Sequence, residues 1–331
     1  MSGIRADQQA LYVKDMYKAE YDKEIEVPPV YNKVYKVITS GITGAGHKET
    51  QLLGAGDLEE HTVEGQDINF KSPKQGWSTY AKYITFSDGI SLTKEAVQDT
   101  VKLGDLLKAL AGSWGESIRV LRETKAAQAF NDGGDLLGNS IFNGTHLGNT
   151  DPSGDLLYDS KPLFTLTGNK RTTKAGGQYY NSVASIALDP DTFTTVYHLH
   201  TSTNNRSELD RVVGNPADTL LTRTGAEHDL AKRILESELK PFGELNDINV
   251  NKSRVSPIDW DYLNDGTTYP AFYVGKKQHA KFQWHERQAP EIDFFRDKTN
   301  RGYKASVDMR FGPHFAPGAW RAWTRGGGTS A

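Results

Sequence analysis

Apolar residues recur at spacings of four and three along one stretch of the chain. Leu103, Leu107, Leu110, Trp114, Ile118 and Leu121 form a single stripe, the pattern of an amphipathic helix. The stripe lies in a segment from Ser91 to Asn131 that predicts one helix. Thr93 is its N-cap, and Glu95 sits in the first turn, where a carboxylate suits the positive end of the helix dipole. Asn131, Gly133 and Gly134 stop it. Such a helix far exceeds the three or four turns of an average globular helix, so it reads as a strut. Gly104, Gly112 and Gly115 inside it each cost about 1 kcal/mol against alanine, which points to a bend or to close approach of another backbone.

Alternation with period two marks the strands. Tyr35 to Ile42 is the first. From Glu60 to Gly89, two strand-like segments flank a turn at Ser72-Pro73-Lys74-Gln75-Gly76. One carries Val63, Ile68 and Phe70, the other Trp77, Tyr80, Tyr83, Ile84 and Phe86. This predicts a long hairpin whose aromatics need a covering surface, because two strands alone are marginal in water. Further on, Leu163-Phe164 reads as a turn or short strand, and Ser182 to Leu188 leads into a helix from Asp189-Pro190 to His200. Leu209 to Val213 and Thr219 to Thr222 are candidate strands. Glu227 to Leu239 reads as a helix with Leu230, Ile234 and Leu235 on its apolar side. Phe272 to Val274, Phe294-Phe295 and Tyr303 to Phe311 are late strands, the last with strict alternation of Tyr303, Ala305, Val307, Met309 and Phe311. Arg325-Gly-Gly-Gly reads as a flexible end. The first 35 residues are polar and break at Pro28-Pro29, with Tyr12, Tyr17, Tyr21 and Tyr31 among Lys and Glu. They cannot bury a core alone, and tyrosines suit interfaces, so they read as an arm lying on a neighbour. The fold class is α+β.

Composition narrows the function. The chain has 331 residues, 37% of them hydrophobic, and glycine is abundant at 32. That mixture suits extended loops and surface buried on assembly. A net charge of -3 gives no basic field to gather nucleic acid. There is no cysteine, hence no disulfide and no thiolate zinc site. No apolar run approaches the ~18 residues of a membrane span, and the N-terminus has no signal core.

Candidate chemistry is thin. Gly41-Ile-Thr-Gly-Ala-Gly46 nearly spells a phosphate loop, but His47 stands where the lysine belongs and Glu49 follows Lys48, where a carboxylate repels phosphate. His198 and His200 lie two apart and, with His228, offer a metal-dependent hydrolase reading. That reading needs the three brought together, whereas surface or interface histidines need nothing. Asp259-Trp-Asp261 and Asn264-Asp265-Gly266 fail the spacing of a calcium loop. No nucleophile-elbow sequence is present. No catalytic residue, cofactor or metal ligand is therefore expected, and the chain reads as a non-enzyme.

The order of parts resembles the major capsid proteins of tailed bacteriophages with the Hong Kong 97-type fold. Thr93-Lys-Glu-Ala-Val through Ala126-Ala-Gln-Ala-Phe-Asn131, Lys161-Pro-Leu-Phe164, Asn181 to Leu188, the Ala-rich helix near Ala231, and Arg301 to Arg310 carry the resemblance. It implies an N-terminal arm (1–35), a first peripheral-domain strand and loop (36–59), and a hairpin or E-loop (60–90). A spine helix (91–140), an axial domain (141–282), returning peripheral strands (283–316) and a C-terminal segment (317–331) follow. The implied function is a shell of hexamers and pentamers around double-stranded DNA, held without sequence-specific binding. The resemblance implies E-loop contacts to a neighbour through Phe70, Lys71, Lys74, Trp77 and Tyr80, and arm contacts through Tyr12, Tyr17 and Tyr21. Implied partners are the chain itself, a separate scaffolding protein, a portal and a decoration protein, with no membrane. The implied location is the virion capsid, assembled in the host cytoplasm. An encapsulin-like nanocompartment shell shares this fold and is the alternative within it. Lys71 and Lys74 lie near the hairpin tip, but nothing identifies partners for a lysine–asparagine cross-link.

Overall fold

The computed structural model describes residue 15 and residues 28–54, 58, 60–65, 67–68, 70–93, 103–133, 161–241, 247–264, 268–277, 281–296 and 302–328. A four-stranded sheet is built on two long antiparallel strands, β11 (Phe282–Arg296) and β12 (Tyr303–Phe315). Short β1 (Lys36–Ile38) pairs parallel to β11, and β4 (Ile84–Leu92) pairs antiparallel to the other side of β12. The register slips at Gln288 and again before Glu291. Pro290 lies in that interval, and a proline cannot donate to a ladder, so the irregularity falls where the sequence demands it.

The alternation read from the sequence holds on β12. Ala305, Val307, Met309 and Phe311 are all buried, and Phe315 continues the face. Against it lies the strut helix, α2 (Leu103–Asn131), which follows a one-turn helix α1 (Tyr31–Val34) in the chain. Trp114, Ile118 and Leu121 meet Phe86, Val307 and Met309 between helix and sheet. Polar ties fix the angle. Trp114 Nε1 donates to Asp88 Oδ2 at 2.8 Å, and Arg122 pairs with Glu286. Leu103, Leu107 and Leu110 lie in the helix, but their side chains are outside the described ones.

The start of the helix departs from expectation. Ser91 and Leu92 end β4, paired with Lys304 and Tyr303. Thr93 stands beyond that strand, and residues 94–102 lie outside those described. Local helix signals at Ser91 lose to a ladder that only the distant strand supplies.

The helix ends in the centre of the molecule. Phe130 is fully buried, with ring centroids of Tyr273 at 5.0 Å, Trp323 at 5.6 Å, Phe282 at 5.7 Å and Trp260 at 5.9 Å around it. Glu123, also buried, accepts from Val30 N and from Trp260 Nε1, each at 2.7 Å. Burial pushes its carboxyl above the usual range. Tyr35 and Tyr273 donate their hydroxyls to Ala126 O and Phe130 O. Asn131 reaches Tyr262 O and accepts from Asn264 N, so its stop signal doubles as an anchor.

The second sheet has the order β7-β13-β10-β8-β9: β7 (Ser182–Val183), β8 (Thr219–Thr222), β9 (Ser256–Asp259), β10 (Phe272–Gly275) and β13 (Trp323–Gly326). A small pair, β5 (Arg171–Thr172) with β6 (Gln178–Tyr179), stands outside it. Neighbouring residues on the central strands point to opposite cores. Leu220, Phe272 and Val274 pack with the apolar faces of α3 (Pro190–His198) and α4 (Ala226–Glu236). Leu221, Tyr273 and Trp323 pack with the cluster around Phe130. This explains why β8 and β10 read as continuous apolar runs. Asp189 caps α3, accepting from Asp191 N and Thr192 N while Thr192 Oγ1 accepts from Asp189 N. Leu209 to Val213 is not a strand: it contributes one isolated bridge, Arg206 to Val212.

The expected flexible end is the largest correction. Trp323–Gly326 is an interior strand, between β10 and β7. Gly326 faces the Phe272 ring so closely that a Cβ would run into it. Gly327, at φ +76, lies against the Pro270 carbonyl. The glycines are there for close packing and a left-handed turn, which composition alone cannot distinguish from looseness.

Candidate functional site

The candidate site is a two-stranded hairpin with an uncovered connection. Its strands are β2 (Gly46–Leu53) and β3 (Lys74–Lys82), with residues 54–73 as the connection. The sequence pattern puts the first arm from Glu60 up to the turn at Ser72–Gly76, with Val63, Ile68 and Phe70 on it. In the structure Gly46–Leu53 is the outgoing arm, and Lys74 opens the returning one. The aromatic run Trp77–Phe86 divides into two strands, because Ile84 onward turns back to pair with β12. Period-two alternation alone could not choose among neighbouring partners for β3.

The phosphate-loop candidate is overturned by the same strand. His47, Lys48 and Glu49 are in β2, and among the described residues no helix follows directly that would offer its N-terminus to a phosphate.

Along the connection the apolar side chains have no cover. Leu58, Val63, Ile68 and Phe70 are all exposed, Leu58 at 101% and Phe70 at 91%, and so is Leu52 near the end of β2. Lys71 and Lys74 are exposed beside them. Five large apolar residues exposed between Leu52 and Phe70 are the pattern of an interaction surface. Tyr80, half-buried, lays its hydroxyl over Gly46 across the hairpin. Trp77 behaves differently. Its Nε1 donates to Glu208 Oε2 at 3.2 Å, and Lys174 Nζ stands 3.7 Å above its ring. Glu208 is buried and also accepts from Arg321 at 2.7 Å. Trp77 thus clamps the far end of the β2–β3 ladder, next to the connection, to the middle of its own chain. Tyr12, Tyr17 and Tyr21 lie outside the described residues.

At the hairpin root, β2 faces the β11–β12 sheet. His47 and Glu49, two apart, present one face of the strand. Glu49 Oε2 accepts from His314 Nε2 at 3.1 Å and from Gln283 Nε2 at 3.3 Å. His285 bonds Gln283 Oε1 at 2.6 Å through Nε2 and the Tyr83 hydroxyl at 2.9 Å through Nδ1. The His47 ring lies edge-on to those of His285 and His314, each at 4.9 Å. Burial, then the nearby His314, lowers the pKa of His47. Burial, then His314 and His47, brings His285 down to about 3. The His314 hydrogen bond holds Glu49 below the usual carboxylate value. Sequence reading saw His47 only as an intruder in a glycine loop and passed over His285 and His314. The available signal was His47-x-Glu49 in a strand-like segment, and nothing local pointed to its partners more than two hundred residues away.

His198, His200 and His228 are not brought together as ligands. His200 is buried on Thr324 at 3.0 Å, and His228 bonds Thr222 at 3.3 Å. Among the described residues, the one group of three potential metal donors is His47, Glu49 and His314. The hydrolase reading loses its ligand set.

No protein-family model matches the chain, and no curated protein matches it. Solved structures do. A chain from Mycobacterium phage Patience aligns at TM-score 0.55 and 11% identity, covering 100% of this chain and 90% of that one. A chain from the mature capsid of bacteriophage PhiM1 gives 0.54 and 8%, covering 90% and 86%. A capsid chain of a native GTA particle gives 0.50 and 10%, covering 90% and 89%. This chain has the phage-capsid fold. The likeness spans both sheets and the strut, so the α+β reading and the resemblance seen in the sequence agree with it at the level of fold.

Proposed function

We propose that this protein is the major capsid subunit of a tailed bacteriophage, assembling as hexamers and pentamers into an icosahedral shell around double-stranded DNA. One observation carries the reading: a capsid fold whose hairpin carries Leu52, Leu58, Val63, Ile68 and Phe70 uncovered into solvent. Burying such a surface requires another molecule, and a closed symmetric shell supplies the same partner to every copy. Phe70, Lys71, Lys74 and Tyr80 contact the neighbour through the hairpin. Trp77 supports that contact by fixing the end of the ladder from which the connection leaves. The arm with Tyr12, Tyr17 and Tyr21 adds a second contact. DNA is held without sequence readout, in keeping with a net charge of -3. A separate scaffolding protein, a portal and a decoration protein complete the particle, which assembles in the host cytoplasm. The subunit itself is structural and not catalytic.

Electron microscopy of the purified chain tests this. Closed shells, tubes or ring-shaped capsomers are expected, with or without scaffolding protein from the same virus. A uniform monomer that stays monomeric at high concentration and with that scaffold would overturn the proposal.

A further inference from the structure

The cluster at the hairpin root has a feature that assembly does not use. His47, Glu49 and His314 each offer one ligand atom, and these atoms lie within 4.8 Å of one another. In a tetrahedral site with bonds of about 2.0–2.1 Å, neighbouring donors stand about 3.4 Å apart. The Glu49–His314 pair is already there, at 3.1 Å. His47 needs only a side-chain rotation to join, and among the described residues its ring nitrogens have no hydrogen bond to break. His314 is fully buried, and its Nδ1 has no hydrogen-bond partner among the described residues.

We propose that His47, Glu49 and His314 bind one divalent transition-metal ion of the zinc class, with water in the fourth position. Two imidazoles and a carboxylate are ligands such ions favour, whereas magnesium and calcium prefer sites made of oxygen alone. The remaining groups form a support shell. Gln283 donates to Glu49 and accepts from His285, and His285 is held in turn by Tyr83. Outer partners of this kind orient ligands in established metal sites. The lowered pKa of His47 and of Glu49 favours the neutral ring and the ionised carboxylate, the forms that coordinate. Because His47 and Glu49 lie on β2 and His314 lies on β12, the ion fastens the hairpin to the long sheet within one chain. That sets the angle at which the hairpin leaves the body. The site does not depend on the capsid reading, since it is complete in a single subunit.

The test uses the untagged full-length chain, stripped with EDTA and titrated with Co²⁺ and then Zn²⁺. One cobalt per chain is expected, with visible bands of a four- or five-coordinate nitrogen–oxygen site that zinc bleaches. The melting temperature should rise with zinc. His47→Gln, on a partly exposed strand position, should keep its circular dichroism and weaken cobalt binding by at least about tenfold. Glu49→Gln should do the same and serves as the second variant. His198→Gln, on α3 and outside the cluster, should bind like the parent. A wild-type chain with no saturable cobalt band, or equal binding by the parent and both cluster variants, would sink the proposal.

Discussion

Single residues decide more than their polarity suggests. Phe130 closes the helix against aromatic rings from both sheets. Phe130→Ala should therefore lose about 3–5 kcal/mol, the range for a fully buried ring, measured by urea denaturation of the unassembled subunit. Histidine burial adds a pH dependence. In the unfolded chain a histidine takes its proton near 6.5, but burial lowers His200 to about 4, and His285 sits at about 3. Between those values and 6.5 the unfolded state binds more protons, so acid favours unfolding. Each ring's contribution is complete above about pH 6.5 and is lost as pH falls through the window, at up to about 1.4 kcal/mol per pH unit. His285 faces His47 and His314, which add to the effect, and Glu49, which opposes it. His200 is lowered by burial alone. The melting temperature should fall between pH 7 and pH 5.5, above the range where ordinary carboxylates take protons; Glu123, raised by burial, acts in the opposite sense. His200→Gln should flatten that fall, and a temperature that does not move over this interval in the parent would contradict the account.

At the scale of elements, the hairpin and the last strand make opposite predictions. Ile68 and Phe70 are exposed, so changing both to serine should leave subunit stability within about 0.5 kcal/mol, the usual range for surface changes. It should nevertheless reduce shell formation, scored by sedimentation; normal shells from that variant would exclude the hairpin contact. The last strand cannot be spared. β13 pairs with β10 and β7 and brings Trp323 to Phe130. Ending the chain after Ala322 should leave the protein insoluble or unfolded by circular dichroism. A soluble, cooperatively melting truncation would show that the end is as loose as its glycines suggest. The two cases share a lesson. The strut and the alternation of β12 were legible because each element reports its own periodicity. The hairpin register and the β13 insertion were not, because strand partners are chosen by the whole fold and side-chain alternation looks alike in any register.

At the scale of the whole molecule, we propose that the first 27 residues serve assembly and not folding. The described fold begins at Pro28, and Val30 already bonds to Glu123. Deleting residues 1–27 should therefore leave the melting temperature of the subunit unchanged and lower the yield of shells. A deletion that destroys solubility would place the arm within the fold. One core runs continuously from the long sheet through the end of the helix to the second sheet. The subunit should thus melt in one transition while the hairpin awaits its neighbour.

The sequence by itself determined the strut, the late alternating strand, the helix start at Asp189-Pro190, the α+β class and the order of parts that resembles a capsid protein. Each of these rests on local periodicity, local capping or chain order, which one chain carries in full. Only the tertiary structure decided which strand pairs with β3, that the glycine-rich end lies inside a sheet, that Trp77 is clamped to Glu208, and that His47, Glu49 and His314 meet. These depend on contacts between residues far apart in the chain. Such contacts form because two sheets must bury both their faces at once, a constraint no local window contains.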